Sequence, residues 1–151
     1  GVKPTYGGTS RYGVVAMVLA LLGKFVLLAL LGATLVPFAL LAGHSVSRFC
    51  STMLLATLDY VREDLLAKSK PLATRLSGGE LLFALLAALA ALPFLPFENA
   101  LAACGLAALA TIWLARKFRR WLGGYTGDCL GATQQVSEIA FYLGLLVSIA
   151  K

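Results

Sequence analysis

The chain has 151 residues, of which 60% are hydrophobic and only 13% are charged, and its mean hydropathy is +0.86. Soluble domains average roughly 45–50% apolar and about 25% charged residues, so the composition excludes an ordinary soluble globule, a disordered tail and a coiled coil and indicates a membrane-spanning chain. The net charge is +6. Because membrane proteins concentrate Lys and Arg in their cytoplasmic loops, this charge needs no nucleic-acid partner to explain it, and we expect none.

Five apolar segments follow one another along the chain, and each is predicted to be a helix because backbone polar groups in lipid must be satisfied within the segment. Their approximate bounds are 13–31, 33–58, 80–94, 99–115 and 128–150. The third and fourth are shorter than the roughly 20 residues that a span needs, and Pro93, Pro96 and Asn99 predict a tight turn between them. We expect one all-α domain over residues 1–151, a polytopic transmembrane helical bundle of about five spans embedded in the lipid bilayer.

Basic residues divide the connections between these segments into two kinds. Residues 59–79 contain Arg62, Lys68, Lys70 and Arg75, and residues 116–120 read Arg-Lys-Phe-Arg-Arg, whereas the turns near residues 32 and 97–98 have no basic residue. With five helices, the N-terminus and both basic connections lie on one side, which the positive-inside rule identifies as the cytoplasm. A four-span alternative would leave one basic connection outside.

Four ionisable side chains fall well inside the apolar layer. Lys24 lies near the middle of the first segment, His44 and Arg48 are four apart in the second and share a helix face, and Glu138 lies in the fifth. A charge at such depth costs at least a few kcal/mol, so we expect one buried polar cluster opening toward the cytoplasm. Structural hydrogen-bonded partners would explain these residues, and so would an anion-binding wall, because a guanidinium suits phosphate.

The fifth segment carries a polar stripe on an otherwise apolar helix. At 100° per residue, its members fall within an arc of about 80°; they are Asp128, Gly131, Gln135, Glu138 and Tyr142. An N-cap role would also explain Asp128, which begins the segment, but it does not explain Glu138, which lies about 15 Å deeper.

A glycine-rich turn precedes this stripe, with Gly123, Gly124, Gly127 and Gly131 around Thr126. Glycine-rich backbone that enters a helix N-terminus is typical of an anion-binding site. The spacing of four between Gly127 and Gly131 also suits close packing of helices through small residues. No Gly-Lys-Ser/Thr follows, so the turn is not a P-loop.

The run from Arg119 to Ala132, which reads Arg-Arg-Trp-Leu-Gly-Gly-Tyr-Thr-Gly-Asp-Cys-Leu-Gly-Ala, together with Gln135 and Glu138, resembles the C-terminal signature of the cobalamin synthase family. These enzymes are also called adenosylcobinamide-GDP ribazoletransferases. Ser10-Arg11-Tyr12-Gly13 with Lys24, and the segment from His44 to Arg48, resemble parts of the family that lie upstream of this signature. The resemblance extends over about residues 9–150.

The resemblance implies an integral transferase of the bacterial inner membrane that acts late in coenzyme B12 synthesis. It would join adenosylcobinamide-GDP to α-ribazole, or to its 5′-phosphate, with release of GMP and a requirement for Mg²⁺. Asp128 would then hold magnesium, and His44 or Glu138 would accept the proton of the attacking hydroxyl. The remaining candidates would bind substrate, chiefly its phosphates; they are Arg11, Lys24, Arg48, Gly123, Gly124, Thr126, Gly127, Gly131 and Gln135.

One part of the family pattern has no counterpart here. Family members carry an aspartate-rich segment in their first half, whereas this chain has only seven acidic residues and no matching spacing. Magnesium prefers clustered oxygen ligands, so we expect a truncated or partial chain that requires an N-terminal half of the enzyme, or a second copy of itself, for activity.

Three other functions compete with the transferase. A small transporter or channel subunit would use Lys24, Arg48 and Glu138 as a transport path. A haem-binding anchor would use His44, the single histidine, as an axial ligand. A lipid-headgroup transferase would also handle a nucleotide-linked phosphate at the membrane surface. Three widely spaced cysteines without a CxxC motif argue against a zinc site and a disulfide scaffold.

Overall fold

A computed structural model of the chain describes residues 11–61 and 76–150, and for Arg11 and Tyr12 the backbone alone. The described residues form five α-helices joined by short connections, and a 3-10 turn at Leu92–Phe94. The helices are α1 (Arg11–Leu31), α2 (Val36–Thr57), α3 (Gly78–Ala91), α4 (Phe97–Leu122) and α5 (Gly127–Ile149). The predicted all-α helical bundle is confirmed. The basic residues Arg62, Lys68, Lys70 and Arg75 lie outside the described residues.

Local sequence explains where the helices begin and end. Gly32 takes a left-handed conformation (φ 80°) after α1, and a proline occupies the first turn of α2, where its missing N–H costs nothing. Ser77 caps α3 in a capping box with Glu80, in which each side chain accepts from the other residue's backbone N–H. Pro93 and Pro96 mark the turn into α4, as expected, but Asn99, which was predicted to lie in the same turn, belongs to the first turn of α4.

Helix α4 is longer than the sequence predicted. We expected an apolar segment over 99–115, but the helix continues through the basic run to Leu122 and ends at Gly123, whose φ is 76°. The prediction was wrong because it ended the helix where hydrophobicity ended, whereas Arg and Lys are good helix formers. Helix α3 is short as predicted, with 14 residues.

Among the described residues, three helices are long and apolar enough to cross a membrane: α1 from Gly13, α2 and α4. Helix α3 with its 3-10 turn is a shorter apolar helix, and the first half of α5 carries the polar stripe. The count of five spans therefore stays a prediction for α3 and α5.

Helix α5 lies at the centre of the bundle and contacts α4, α2 and α1. Small residues bring the helices close: a Cβ added to Gly144 would lie 2.6 Å from the Ala103 Cα. Phe141, Tyr142 and Leu145 of α5 are fully or almost fully buried in this core. Close backbone approach through small residues is how helices associate where the solvent is itself apolar.

Helix α1 packs least closely of the three apolar helices, since only 6% of its most apolar stretch is buried, compared with 44% of the corresponding stretch of α2. Its large side chains from Val14 to Val26 are mostly exposed, whereas Leu27, Leu28 and Leu31 join the core. Helix α1 therefore touches the bundle mainly through its C-terminal third.

Candidate functional site

Lys24 and Glu138 meet inside the bundle. The Lys24 Nζ lies 2.7 Å from the Glu138 Oε2, and the Tyr142 hydroxyl donates to the Oε1 of the same carboxylate at 2.7 Å. The side chains of Lys24 and Glu138 are 14% and 12% exposed, and Tyr142 is fully buried. The expected proximity of Lys24 and Glu138 is confirmed. Both carboxylate oxygens are occupied, so Glu138 is held as a fixed group that neutralises Lys24.

His44 and Arg48 form a separate pair on α2. The Arg48 Nε donates to the His44 Nε2 at 3.5 Å, and both residues are exposed. Within the described residues, no hydrogen bond or ion pair joins them to Lys24 or Glu138. The expectation of one buried cluster was wrong. The four residues share a depth, but His44 and Arg48 lie at the exposed edge of the side of α2 that faces α5.

Helices α2 and α5 run antiparallel, and their contacts fix which sides face each other. The Gln134 Nε2 donates to the Ser51 Oγ at 3.2 Å, and Gly43 packs against the ring of Tyr142. At 100° per residue, His44 and Arg48 lie just beyond Ser51 around α2.

Three residues of α5 lie just beyond Gln134 and Glu138 around the helix axis, in the direction in which the angle increases along the chain. They are Gly131, Gln135 and Asp128. Because the helices are antiparallel, these rotations on α2 and α5 lead to the same side of their contact. All five residues are exposed. We call the resulting surface the polar face; it consists of His44, Arg48, Asp128, Gly131 and Gln135.

Asp128 is exposed in the first turn of α5, where the helix dipole favours a negative charge. The N-cap is Thr126, two residues earlier, and its hydroxyl donates to the Cys129 Sγ at 3.3 Å. The alternative of Asp128 as an N-cap was therefore wrong.

The glycines of the turn divide into two groups. Gly123 ends α4 in the left-handed conformation, and a Cβ on Gly124 would collide with the Asp59 carbonyl oxygen. A Cβ on Gly127 or Gly131, in contrast, would meet no described atom within 4 Å. Small-residue packing was suggested for Gly127 and Gly131, but no helix among the described residues packs against either glycine. The fold therefore requires Gly123 and Gly124, whereas no described residue covers the surface at Gly127 and Gly131.

The end of α2 is tied to the turn before α5. The Tyr125 N–H donates to the Asp59 carbonyl and the Val61 N–H donates to the Tyr125 carbonyl, both at 2.9 Å. The rings of Tyr60 and Tyr125 pack edge to face, and burial raises the pKa of the Tyr125 hydroxyl. We call this contact the α2–α5 tie; it holds Asp59–Val61 against Tyr125 at the end of the bundle where the polar face begins.

Three residues position this face although no sequence pattern marks them for that role; they are Ser51, Gln134 and Tyr125. Gln134 stands beside the predicted Gln135, and only the partner helix shows which of the two points inward. Arg11 begins α1, but its side chain lies outside the described part of the chain. Thr126 is half-buried beside Cys129.

Magnesium is not provided with a complete set of ligands here. Residues 11–61 and 76–150 contain no group of three or more His, Cys, Asp or Glu side chains that could hold a metal ion. Asp128 is the single carboxylate of the polar face, so further oxygen ligands would have to come from elsewhere in the polypeptide or from substrate phosphates.

Comparison with known proteins gives one consistent result. The model of a family described as cobalamin-5-phosphate synthase matches residues 8–146. An adenosylcobinamide-GDP ribazoletransferase from Polaromonas sp. (strain JS666 / ATCC BAA-500) is 44% identical over 158 residues, which cover 91% of this chain and 56% of the relative. Proteins of the same name from Polaromonas naphthalenivorans and Shewanella woodyi are each 45% identical, over 91% and 89% of this chain and 56% and 54% of the relatives.

The chain thus spans about half the length of the curated relatives it matches. No solved structure matches it.

Proposed function

Since the chain belongs to the cobalamin-5-phosphate synthase family, we propose that it is the whole or a part of a membrane transferase that joins adenosylcobinamide-GDP to α-ribazole, or to its 5′-phosphate, with release of GMP. The family match over residues 8–146 carries this proposal, because it includes the polar face and the glycine turn. This chain covers 56% of its relatives from Polaromonas. The complete activity is therefore proposed for this chain together with the part of the enzyme that corresponds to the rest of those relatives, which we call the assembled enzyme.

The polar face is proposed as the place where the pyrophosphate of the substrate binds. Arg48 presents a guanidinium with five donors, which suits phosphate oxygens. The α5 N-terminus contributes backbone N–H groups and a favourable dipole. Gly127 and Gly131 leave room for a ligand to approach the backbone closely. These features are the kind that phosphoryl transfer requires, because its catalysis rests mainly on positioning and on neutralising charge.

The geometry favours His44 over Glu138 as the proton acceptor. The attacking hydroxyl of the ribazole forms a new bond to phosphorus, the pyrophosphate bond breaks, and GMP leaves with that electron pair. Glu138 accepts two hydrogen bonds at 2.7 Å, one on each oxygen, whereas the exposed His44 imidazole accepts one long hydrogen bond, 3.5 Å from the Arg48 Nε to its Nε2, which Arg48 would release on binding a phosphate. In this scheme Lys24 and Glu138 support the bundle beside the site.

Magnesium is proposed as the cofactor, with Asp128 as one ligand. The described residues do not fit a complete metal site, so no step of the scheme passes through the ion. An Asp128→Ala variant that retains full activity in the assembled enzyme would contradict the metal role. Asp128→Asn keeps the size of the side chain and removes its charge, so loss of activity in this variant would assign the effect to the charge.

The proposed site begins with Asp128 at the end of the bundle that we assign to the cytoplasm, and it extends along α2 and α5 to His44, roughly 15 Å or more deeper. The C-terminal end of α4, with its basic residues, and the N-terminal end of α5 meet at that cytoplasmic end. Orientation in a bacterial inner membrane remains a proposal that rests on the positive-inside rule.

The experiment is an assay of the detergent-purified chain with adenosylcobinamide-GDP, α-ribazole and magnesium, in which the cobalamin product and GMP are followed by chromatography. A parallel reaction contains the chain co-expressed with the N-terminal half of the Polaromonas relative. Product in either reaction supports the proposal, and its loss in His44→Gln supports the assigned proton acceptor. No product in either, with an active full-length relative as control, would contradict it.

A further inference from the structure

The last turns of α4 expose two tryptophans with a lysine held between them. The Lys117 Nζ lies 4.4 Å from the centroid of the Trp113 ring and 4.9 Å from that of Trp121. The spacing of four residues places these side chains in one row along the helix. Trp113 is 55% exposed and Trp121 is 74% exposed. A cation over an indole face is an attractive contact even where it is exposed, so the lysine favours this arrangement of the row.

A second row of cations runs beside the first. Arg116 and Arg120 are four apart and both are exposed. Around the helix axis they lie about 100° and 60° from Lys117, on the same side of it. Among residues 11–61 and 76–150 the structure contains one salt bridge, between Lys24 and Glu138, so neither arginine has a carboxylate partner there. We call the combined surface the Trp–Arg face; it consists of Trp113, Arg116, Lys117, Arg120 and Trp121.

The length of α4 places this surface at a particular depth. The 26 residues of the helix extend over roughly 39 Å at 1.5 Å per residue, and the hydrocarbon core of a bilayer is about 30 Å thick. The stretch from Phe97 to Ala115 nearly fills the hydrocarbon core. The Trp–Arg face then begins at the boundary of the hydrocarbon and continues into the headgroup layer.

We propose that the Trp–Arg face binds the phosphate headgroups of anionic phospholipids. Arginine forms paired hydrogen bonds with phosphate oxygens, and basic residues next to a span are attracted by anionic lipids. Indoles concentrate at the headgroup level, where one part of the ring is apolar and the other is wet. This binding is independent of the transferase activity proposed above.

The exposed indoles favour a lipid over a soluble polyphosphate. A nucleotide could neutralise the arginines, but its phosphates would offer no apolar groups to the two exposed tryptophans. A lipid provides phosphate for the arginines and glycerol and acyl groups for the indoles. The partner is therefore a phospholipid with a net negative headgroup, such as phosphatidylglycerol.

The sequence makes this surface directly observable, because Trp113 and Trp121 are the two tryptophans of the chain. Tryptophan fluorescence, excited at a wavelength that tyrosine does not absorb, thus reports on the Trp–Arg face alone. The full chain is reconstituted into phosphatidylcholine bilayers that contain either brominated phosphatidylglycerol or brominated phosphatidylcholine at equal mole fractions. We expect stronger quenching by the brominated phosphatidylglycerol, and stronger quenching by labels near the headgroup than by labels at the bilayer centre.

Arg120→Gln and Arg119→Gln form a matched pair of variants. Each removes one positive charge from neighbouring positions, and both keep the two tryptophans. Arg119 lies about 100° around the helix from Arg120, outside the Trp–Arg face. We expect Arg120→Gln to lower the preference for phosphatidylglycerol about fivefold, the effect of one basic residue at an anionic surface, and Arg119→Gln to lower it less than twofold.

Three results would overturn the proposal. Equal quenching by the two brominated lipids would show that the surface does not select charge. Equal losses in the two arginine variants would show a diffuse surface potential in place of a binding surface. Displacement of brominated phosphatidylglycerol by added GDP would assign the arginines to a soluble polyphosphate.

Discussion

Lys24 and Glu138 compensate each other's charge within the apolar part of the bundle. Depth along the helices was enough to predict that contact, because two opposite charges at one level of an apolar layer have few other partners. Depth was not enough for His44 and Arg48, which lie at a similar level but on an exposed side of α2. Rotation about the helix axis depends on the neighbouring helices, and the sequence of one helix does not determine it.

A double-mutant cycle can test the ion pair between Lys24 and Glu138. Removing one partner of a buried pair costs about 3–5 kcal/mol, whereas replacing both with neutral groups is often nearly neutral. We expect Lys24→Met and Glu138→Gln each to lower the Tm in detergent by roughly 10 °C. The double variant should recover most of that loss. Additive losses would contradict a direct pair.

Gly131 provides a second test at the residue scale. Alanine exceeds glycine in helix propensity by about 1 kcal/mol, and no described atom opposes a Cβ at Gly131 or at Gly105 of α4. Both Gly131→Ala and Gly105→Ala should therefore raise the Tm. Only Gly131→Ala should reduce the additional Tm shift that adenosylcobinamide-GDP produces in the assembled enzyme. An undiminished shift in Gly131→Ala would argue against ligand contact at the polar face.

The helices themselves were largely predictable, and their ends less so. Turn residues such as Pro93 and Pro96 bounded the helical hairpin, and apolar runs located each helix. The end of α4 was missed because helix propensity continues past the apolar residues into the basic run. The sequence also did not show which glycines are needed for close packing, because that need depends on whether a second backbone lies nearby. A Cβ added to Gly144 would meet Ala103 closely, whereas one added to Gly131 would meet no atom of the described residues within 4 Å.

Close packing of α4 and α5 leads to a prediction for Gly144. An added methyl would lie 2.6 Å from the Ala103 Cα and 3.0 Å from the Ala102 carbonyl oxygen, so the two backbones must separate. Overpacking of this kind costs about 1–3 kcal/mol. We expect Gly144→Ala to lower the Tm, and Gly23→Ala, which has open space in α1, to leave it unchanged or raise it. The opposite order would contradict the packing of α4 on α5.

For the whole molecule, the distribution of charge predicts one orientation in the membrane. Helix α4 begins beside Glu98 and ends after four basic residues, so its two ends should face opposite sides. In a background where Cys50, Cys104 and Cys129 are replaced by alanine, an impermeant maleimide added to spheroplasts should label Glu98→Cys. Arg119→Cys should be labelled only after the membrane is opened. The reverse pattern would invert the orientation.

The α2–α5 tie joins the two halves of the described chain without using the connection between them. Residues 11–61 and 76–150 are also held together by the packing of α2 on α3, α4 and α5. A protease site inserted between residues 62 and 75 and cut after purification should therefore give two pieces that remain associated. We expect them to elute together on gel filtration, and a Gly124→Val variant, which pushes Asp59 away from the turn, to release them at a lower temperature.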